Sequence, residues 1–163
     1  MFVLGVDPGL SRCGYCIVGR TGHESRAVAL GVLRTGTTLT VAQRLVGLRD
    51  EISALLEEFA PAVVAIERVL FQANARTAMS VSQASGVVMA EAAGRGCQVV
   101  EYSPNEVKEA VTGFGAADKN QVKEMVKTLL GLGHIGSPDA ADAAAVALCH
   151  LARQPAQPTE VAG

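Results

Sequence analysis

The chain has 163 residues, of which 49% are hydrophobic, and a formal net charge of −2. That length predicts one well-buried domain, and no apolar run approaches the roughly 20 residues of a membrane-spanning helix. The N-terminus lacks the basic start and cleavage site of a signal peptide, so we expect a cytoplasmic protein. The slight negative charge argues against a protein that coats nucleic acid by charge alone, but it does not exclude a nuclease.

Four cysteines do not suggest a disulfide framework in a core-rich chain without an export signal. We expect Cys13, Cys16, Cys97 and Cys149 to be buried as small apolar side chains. Cys13 and Cys16 form a C-x-x-C, but the segment has the pattern of a strand, where positions three apart face opposite sides. A metal or redox role for this pair is therefore not predicted.

The chain opens with strands. The apolar run FVLGVD precedes a turn signal at Pro8-Gly9, and a second apolar run follows, so residues 1 to 19 are predicted to form a hairpin. A third strand over about residues 27 to 34 would extend the hairpin into an antiparallel sheet. From Val41 onward, apolar residues recur at three- and four-residue steps, which predicts an amphipathic helix that ends at Pro61.

Residues 62 to 67 are predicted to be a buried fourth strand, and the helical crossover before it implies that it lies parallel to the first. A helix over about residues 77 to 93 carries many small side chains, so a partner backbone can approach it closely. CQVVEY, residues 97 to 102, would be the fifth strand. Together these elements predict an α/β fold with a five-stranded mixed sheet and helices on both faces.

Three further helices follow the fifth strand. The first is opened by Ser103-Pro104 and is followed by a glycine-bearing loop at residues 113 to 115. The second has its apolar face built from Val, Met and Leu side chains between residues 122 and 130. The last has Ser137 as N-cap and Pro138 at its first position. The polar, proline-bearing tail after residue 152 is expected to be flexible.

Four acids stand at the edges of the most apolar segments. Asp7 and Glu67 each end a predicted buried strand, and these strands are expected to be neighbours. Asp139 and Asp142 are three residues apart and would share one face of the last helix. A charge beside a dry core costs several kcal/mol unless it is paired or binds a cation. The four acids therefore suggest one site that holds two hard divalent cations through oxygen ligands.

Each acid has a simpler explanation when taken alone. Asp7 is a favoured first residue of a turn, and Asp139 suits the first turn of a helix. Glu67 could pair at the surface with Arg68 or Arg76. Asp142 is harder to explain in this way, because an acid surrounded by alanines on a slim helix should have a partner.

Two divalent ions about 4 Å apart suit phosphodiester hydrolysis. No Ser or Cys beside a His suggests a covalent route, and neither G-x-x-x-x-G-K-[ST] nor G-x-G-x-x-G is present to cradle a nucleotide. The residue pattern therefore favours a metal-dependent nuclease.

Four segments carry a resemblance to a known family: GVDPGLSRCGY, AIERVLFQANARTA, YSPNEVKEAVTGFGAADKNQV and SPDAADAAAVALCH. In this order they closely resemble the RuvC family of Holliday-junction resolvases, over residues 1 to about 152. The resemblance implies a ribonuclease H-like nuclease domain over residues 1–152 and a tail over 153–163. It also implies a homodimer that nicks two opposing strands of a four-way DNA junction, in recombination and repair.

The same resemblance assigns roles to the acids. It implies that they are the catalytic, metal-binding residues and that they use Mg²⁺, two ions per active site, with Mn²⁺ as an alternative. The four are Asp7, Glu67, Asp139 and Asp142. Some relatives carry His at the position of Asp139, so this position is the least fixed of the four.

Residues implied to contact DNA fall in two segments. The segment after Glu67 resembles a junction-contacting loop, with Leu70 where many relatives have Phe, and with Phe71 as the nearby aromatic ring. Either Phe71 stacks on a base or Leu70 acts as an apolar wedge, unless both pack inward. The further expected contacts are basic residues: Arg76, Lys108 and Lys119.

A junction has twofold symmetry, so paired nicks need two active sites. We expect the small-residue helix to contribute to the dimer interface through Ala78, Ser82, Gly86 and Met89. The resemblance further implies the branch-migration proteins RuvA and RuvB as partners, and no membrane.

Other protein classes remain open at this point. They are another ribonuclease H-like nuclease, a nucleotide-binding protein of the actin and sugar-kinase type, and a binding-only relative. The second class would need a longer chain, and the third has no support because all four acids are present.

Overall fold

The computed structural model describes residues 1–70 and 75–154. In chain order, the elements are β1 (Phe2–Asp7), β2 (Arg12–Thr21), β3 (Glu24–Arg34), α1 (Val41–Phe59), β4 (Val63–Glu67), α2 (Ala75–Gly94), β5 (Gln98–Tyr102), α3 (Pro104–Thr112), α4 (Lys119–Leu130) and α5 (Pro138–Arg153).

The strands form one mixed sheet in the order β3-β2-β1-β4-β5. The β1–β2 and β2–β3 pairs are antiparallel, whereas β1–β4 and β4–β5 are parallel. This confirms the predicted hairpin, the third strand and the parallel return of the chain. The third strand begins at Glu24, three residues before the predicted position, because it continues to pair with β2 down to the turn at Gly22.

Two hydrophobic cores lie on opposite faces of the sheet. On one face the inward side chains of the strands, such as Leu4 and Ile17, pack with α1 and α2. On the other face they pack with α3, α4 and α5. Cys13 belongs to the first core and Cys16 to the second, as expected for a C-x-x-C within a strand. The prediction of helices on both faces is therefore confirmed.

The cysteine prediction needs one correction. Cys13, Cys16 and Cys149 are buried, but Cys97 is only half-buried because it begins the turn into β5 at the surface. All four thiols are free.

Helix α5 lies very close to the sheet. A Cβ built on Gly5 would lie 2.1 Å from the carbonyl oxygen of Ala143, and one on Gly14 would lie 2.0 Å from that of Asp139. Both glycines are therefore required by close approach of the helix backbone. The alanine-rich sequence of α5 serves the same packing, because small side chains keep the helix near the strands.

Capping boxes fix the starts of α3 and α4. The side chain of Ser103 accepts from the backbone of Glu106, and that of Asp118 accepts from the backbone of Gln121. Lys119 is the first residue of α4, so the cap at Asp118 sets the direction in which its side chain leaves the helix.

The small residues of α2 divide between two sides of the helix. Ala78 is buried and Met89 packs against the α1–α2 core, so both face their own chain. Ser82 is half-buried and Gly86 is exposed. Of the expected interface residues, Gly86 is therefore the most available in a single chain.

Two further predictions concern the chain as a whole. No helix in the described ranges is both long and apolar enough to cross a bilayer. The expected flexible tail, apart from Arg153 and Gln154, lies outside the described residues.

Candidate active site

Two of the predicted acids end neighbouring strands. Val6 of β1 pairs with Ile66 of β4 in parallel register, so Asp7 and Glu67 follow side by side at the carboxyl edge of the sheet. Both strands are almost entirely buried up to that point, and both acids are half-buried. The two buried strands therefore place both carboxylates at the same edge of the sheet.

The other two acids come from the start of α5. Asp139 and Asp142 are each half-buried, and the backbone of Asp139 touches β2 at Gly14, the register partner of Asp7. This contact sets the first turn of α5 against the strand edge that carries Asp7. The structure thus brings the four predicted acids to one region.

Charge coupling among the acids supports this arrangement. The pKa of Asp7 is raised to about 8, mainly by burial and then by Glu67, Asp142 and Asp139 in that order of effect, while Lys119 acts to lower it. Burial also raises the pKa of Glu67, and Asp142 adds to that shift. The four acids therefore lie close enough to interact electrostatically, in a poorly solvated part of the protein.

Two basic side chains offset part of this charge. Lys119 Nζ donates to Asp142 Oδ2 at 3.4 Å, and Arg12 Nε donates to Asp139 Oδ2 at 2.7 Å. Asp142 therefore has the partner that its alanine-rich surroundings required. Within residues 1–70 and 75–154, no three His, Cys, Asp or Glu side chains already stand in an arrangement that could hold a metal ion.

Glu67 and Asp139 have charged neighbours beyond those that the simpler explanations named. The cations that lower the pKa of Glu67 are Lys119 and Lys108 rather than Arg68. Asp139 is in the first turn of α5, but its carboxylate contacts Arg12 and the hydroxyl of Ser137. Ser137 makes no side-chain cap bond to the helix.

Two clefts open onto the acids. The larger has a volume of about 450 Å³ and extends from Asp7 and Glu67 toward Leu70 and the start of α2. The smaller, of about 130 Å³, lies between Glu67, Lys108, Lys119 and Asp142. A chain of phosphates in the smaller cleft would meet both carboxylates and lysines, whereas one in the larger cleft would meet Asp7, Glu67 and Arg68.

Three of the expected DNA-contact residues, Leu70, Lys108 and Lys119, line these clefts. Leu70 is 46% exposed and lines the larger cleft, which excludes inward packing for this side chain. Lys108 and Lys119 line the smaller cleft. Arg76 is exposed in the first turn of α2. Phe71 lies outside the described residues.

Arg12 was missed by sequence reasoning. It stands five residues after Asp7 in a segment with the signals of a turn, and nothing in that segment indicates its partner, 127 positions later in the chain. The signal that could have found it is indirect. An arginine at the start of the antiparallel neighbour of β1 must lie at the edge where Asp7 ends.

Comparison with known proteins gives a consistent result. The family model for "Crossover junction endodeoxyribonuclease RuvC" matches residues 3–150. A crossover junction endodeoxyribonuclease RuvC of Frankia casuarinae is 52% identical over 158 residues, covering 96% of this chain and 92% of the relative. This chain belongs to the RuvC family.

Other RuvC proteins agree with this assignment. The Natranaerobius thermophilus RuvC is 45% identical and covers 92% of this chain and 94% of its own length. The solved structure of Thermus thermophilus RuvC in complex with a Holliday junction substrate matches with a TM-score of 0.87 at 33% identity, covering 93% of each chain. The ribonuclease H-like RuvC architecture expected from the sequence is therefore confirmed.

A more distant structure shares the fold alone. The yeast mitochondrial Holliday junction resolvase Ydc2 matches with a TM-score of 0.64 at 17% identity, covering 92% of this chain and 78% of that one. The RuvC sheet and its surrounding helices thus persist at low sequence identity.

Proposed function

We propose that this chain resolves four-way DNA junctions by hydrolysing one phosphodiester bond in each of two opposing strands, in homologous recombination and DNA repair. Its membership of the RuvC family of crossover junction endodeoxyribonucleases supports this function. So does its likeness to a RuvC solved with a Holliday junction substrate. The observation that carries the proposal is the mutual coupling of Asp7 with Glu67, Asp142 and Asp139 beside an open cleft.

The donor set fits hard divalent cations. All four side chains offer carboxylate oxygens, which are the ligands that Mg²⁺ and Mn²⁺ prefer. Asp7 is held at a pKa of about 8 by burial and by three neighbouring acids, so this site favours a cation strongly. We propose that Asp7, Glu67, Asp139 and Asp142 together hold two Mg²⁺ ions. Such ions, when bound, generate hydroxide from water and stabilise the leaving oxygen.

The protein residues have their own tasks in this mechanism. Asp7 and Glu67 stand on buried strands, so their positions are fixed before DNA arrives. Burial raises the pKa of Asp142, while Lys119 lowers it by an ion pair at 3.4 Å. The Lys119 side chain is 84% exposed, so it can move from the carboxylate to a phosphate of the substrate at little cost.

DNA contacts are proposed around the two clefts. Lys108 and Lys119 would bind backbone phosphates, which carry no base information but set the register of the strand. Leu70 would contact the junction bases as an apolar wedge, with Phe71 as the aromatic alternative. Arg76, in the first turn of α2, would add a further phosphate contact.

The assembly is also proposed. A homodimer would place two active sites on a twofold-symmetric junction, with α2 residues Ala78, Ser82, Gly86 and Met89 near the interface. We propose residues 1–152 as the nuclease domain and 153–163 as a tail. The protein would act in the cytoplasm with the branch-migration proteins RuvA and RuvB.

Asp7→Asn tests the catalytic role. The change removes one negative charge at nearly constant shape, so cleavage of a synthetic four-way junction in Mg²⁺ should fall by about 10³-fold or more, since several kcal/mol of stabilisation are lost. Junction binding in a gel-shift assay without Mg²⁺ should be retained. Product mapping on wild-type protein should give paired, symmetric nicks in junctions and little cutting of linear duplex.

Asp50→Asn is the matched control, because Asp50 is an exposed acid on α1 that pairs with Arg49. It should cleave at the wild-type rate. If Asp7→Asn cleaved as well as Asp50→Asn, the role given to Asp7 would be wrong. Equal cutting of duplex and junction would instead point to a general nuclease.

A further inference from the structure

A second basic surface lies on the side of the acids opposite Lys108 and Lys119. Arg12 at the start of β2 and Arg34 at the end of β3 are register partners in an antiparallel pair, so two guanidinium groups sit directly across from each other. Like charges in this position destabilise a sheet. The pair therefore calls for an anionic partner.

Only one of the two arginines is neutralised within the described part of the chain. Arg12 pairs with Asp139 at 2.7 Å and also donates to Ser137 Oγ at 3.4 Å. Arg34 is exposed and its guanidinium has no hydrogen bond or ion pair among residues 1–70 and 75–154. A third arginine, Arg44, contacts the chain neighbours of this pair. It donates to Ser11 Oγ at 2.6 Å and to Thr35 Oγ1 at 3.0 Å.

Arg34 also lines a cleft of about 430 Å³ with His134, Gly136 and Ser137. None of the residues that line this cleft is acidic. We call Arg34, His134 and Ser137, together with Arg12, which does not line the cleft but donates to Ser137 Oγ, the arginine cleft. It is open to solvent and carries hydroxyl and cationic donors, which are the groups that bind phosphate diesters.

The position of the arginine cleft relates it to the active site. The end of β1, the start of β2 and the end of β3 share one edge of the sheet, so Asp7, Arg12 and Arg34 lie in successive strands along it. Asp7 is level with Gly14, so Arg34 lies two strands across and two residues further along. With strands about 4.8 Å apart and a rise of about 3.3 Å per residue, the two backbones are roughly 12 Å apart, a length that spans about three to four nucleotides of one strand.

We propose that the arginine cleft binds the phosphate backbone of the DNA strand being cut, a few nucleotides from the cleaved bond, on the side away from Lys119. Arg34 makes the contact, and Arg12 links the cleft to Asp139. This proposal rests on the proposed function, because it extends the path of the same DNA substrate.

Arg34→Ala tests the contact. At about 100 mM salt without Mg²⁺, junction affinity should fall about 3- to 10-fold, and the slope of log K against log salt should become shallower by about 0.9, the value for one lost phosphate. Single-turnover cleavage at protein concentrations below saturation should fall by the same factor as the affinity. Arg34→Lys should restore the slope, because lysine still offers a point charge to phosphate.

Arg26→Ala is the matched control, since Arg26 lies on the same strand at the opposite edge and is fully exposed beside Glu24. The slope of log K against log salt for Arg26→Ala should equal that of wild type. A second measurement uses junctions with one neutral methylphosphonate linkage, moved through the two to four positions on either side of the cleaved bond. One such linkage should weaken binding of wild type and leave binding of Arg34→Ala unchanged.

The outcomes separate this inference from the proposed function. If wild type binds the junction and Arg34→Ala has the same affinity and slope, the arginine cleft is not a DNA contact. If every methylphosphonate position weakens both proteins equally, the proposal is also overturned. If wild type itself does not prefer the junction over duplex, the proposed function fails, whatever the result for Arg34.

Discussion

At the scale of one residue, Asp7 illustrates how a side chain suited to the proposed function can lower the stability of the folded chain. A carboxyl group in this position has a pKa of about 8, because it is poorly solvated and faces three other acids. In the unfolded chain the same group has a pKa near 4. The folded protein without metal therefore binds a proton that the unfolded chain has already released over this range of pH.

This difference predicts how stability changes with pH. Because the folded-state pKa of Asp7 is raised, its contribution is fully present below about pH 4 and is lost as pH rises through about 8. At pH 8 without metal, Asp7→Asn should therefore be more stable than wild type by about 1–3 kcal/mol, with little difference at pH 4. Urea unfolding at both values of pH, in EDTA, measures this.

At pH 8, added Mg²⁺ should make wild type more stable than Asp7→Asn, the reverse of the order in EDTA. Wild type gains stability by binding the ion in the folded state, whereas the variant has lost a ligand. A stability difference between wild type and Asp7→Asn that does not widen from pH 4 to pH 8 in EDTA would contradict the raised pKa of Asp7.

At the scale of one element, α5 decides whether the four acids meet. Its backbone touches β1 at Gly5 and β2 at Gly14, so the helix can lie on the sheet only where side chains are missing. The sequence predicted this helix, its start at Ser137 and Pro138, and its slim alanine face. It did not predict which strand positions the helix would touch, since that depends on register between segments more than 120 residues apart.

Gly14→Ala should move the start of α5. The added Cβ would meet the Asp139 carbonyl oxygen at 2.0 Å, and a backbone atom cannot move away as a flexible side chain can. We expect the free energy of unfolding to fall by about 1–3 kcal/mol, as in other overpacked cores. Cleavage should fall by about 10²-fold, because a displacement of about 1 Å is enough for such a loss.

Gly47→Ala is the control for this change. Gly47 lies inside α1, and a Cβ there would meet nothing within 4 Å. Alanine should stabilise the protein by about 0.5–1 kcal/mol and leave cleavage unchanged. Chemical denaturation and junction cleavage on both variants provide the comparison, and a Gly14→Ala protein with wild-type activity would show that α5 can shift without consequence.

At the scale of the whole molecule, α2 presents a surface at Gly86 that residues 1–70 and 75–154 leave uncovered. Gly86 is exposed, and a Cβ on it would meet nothing within 4 Å among these residues. No contact within the described ranges requires the absence of a side chain at this position. A second copy packed closely on α2 would explain it, in agreement with the proposed homodimer.

Gly86→Glu tests that interface. A charged side chain at this position should leave the fold intact and weaken dimerisation by at least about 10-fold, since a buried unpaired carboxylate is costly. Sedimentation should then show monomer, and junction cleavage should change from paired to single nicks. Gly47→Glu places the same charge on α1 and should remain dimeric. A Gly86→Glu protein that stays dimeric would exclude this part of α2 from the interface.

The sequence was most informative where chemistry and periodicity coincide. The buried strands that end in Asp7 and Glu67 could be predicted because an acid at the end of a continuous apolar run is conspicuous. A partner for Asp142 was predicted for the same reason, but the partner was not identified, and Lys119, which pairs with it, was predicted only as a DNA contact. Arg12 and the exposed end at Arg34 could not be predicted, because their importance depends on strand register and on long-range contacts.

The acids of the site come from the first strand, the fourth strand and the last helix. Asp7 is made early during synthesis, whereas Asp139 and Asp142 leave the ribosome only when the chain is almost finished. A nascent RuvC-family chain therefore has no complete set of carboxylates until α5 has emerged and docked on the sheet. If the four acids act together as proposed, fragments released by premature termination would not cut DNA.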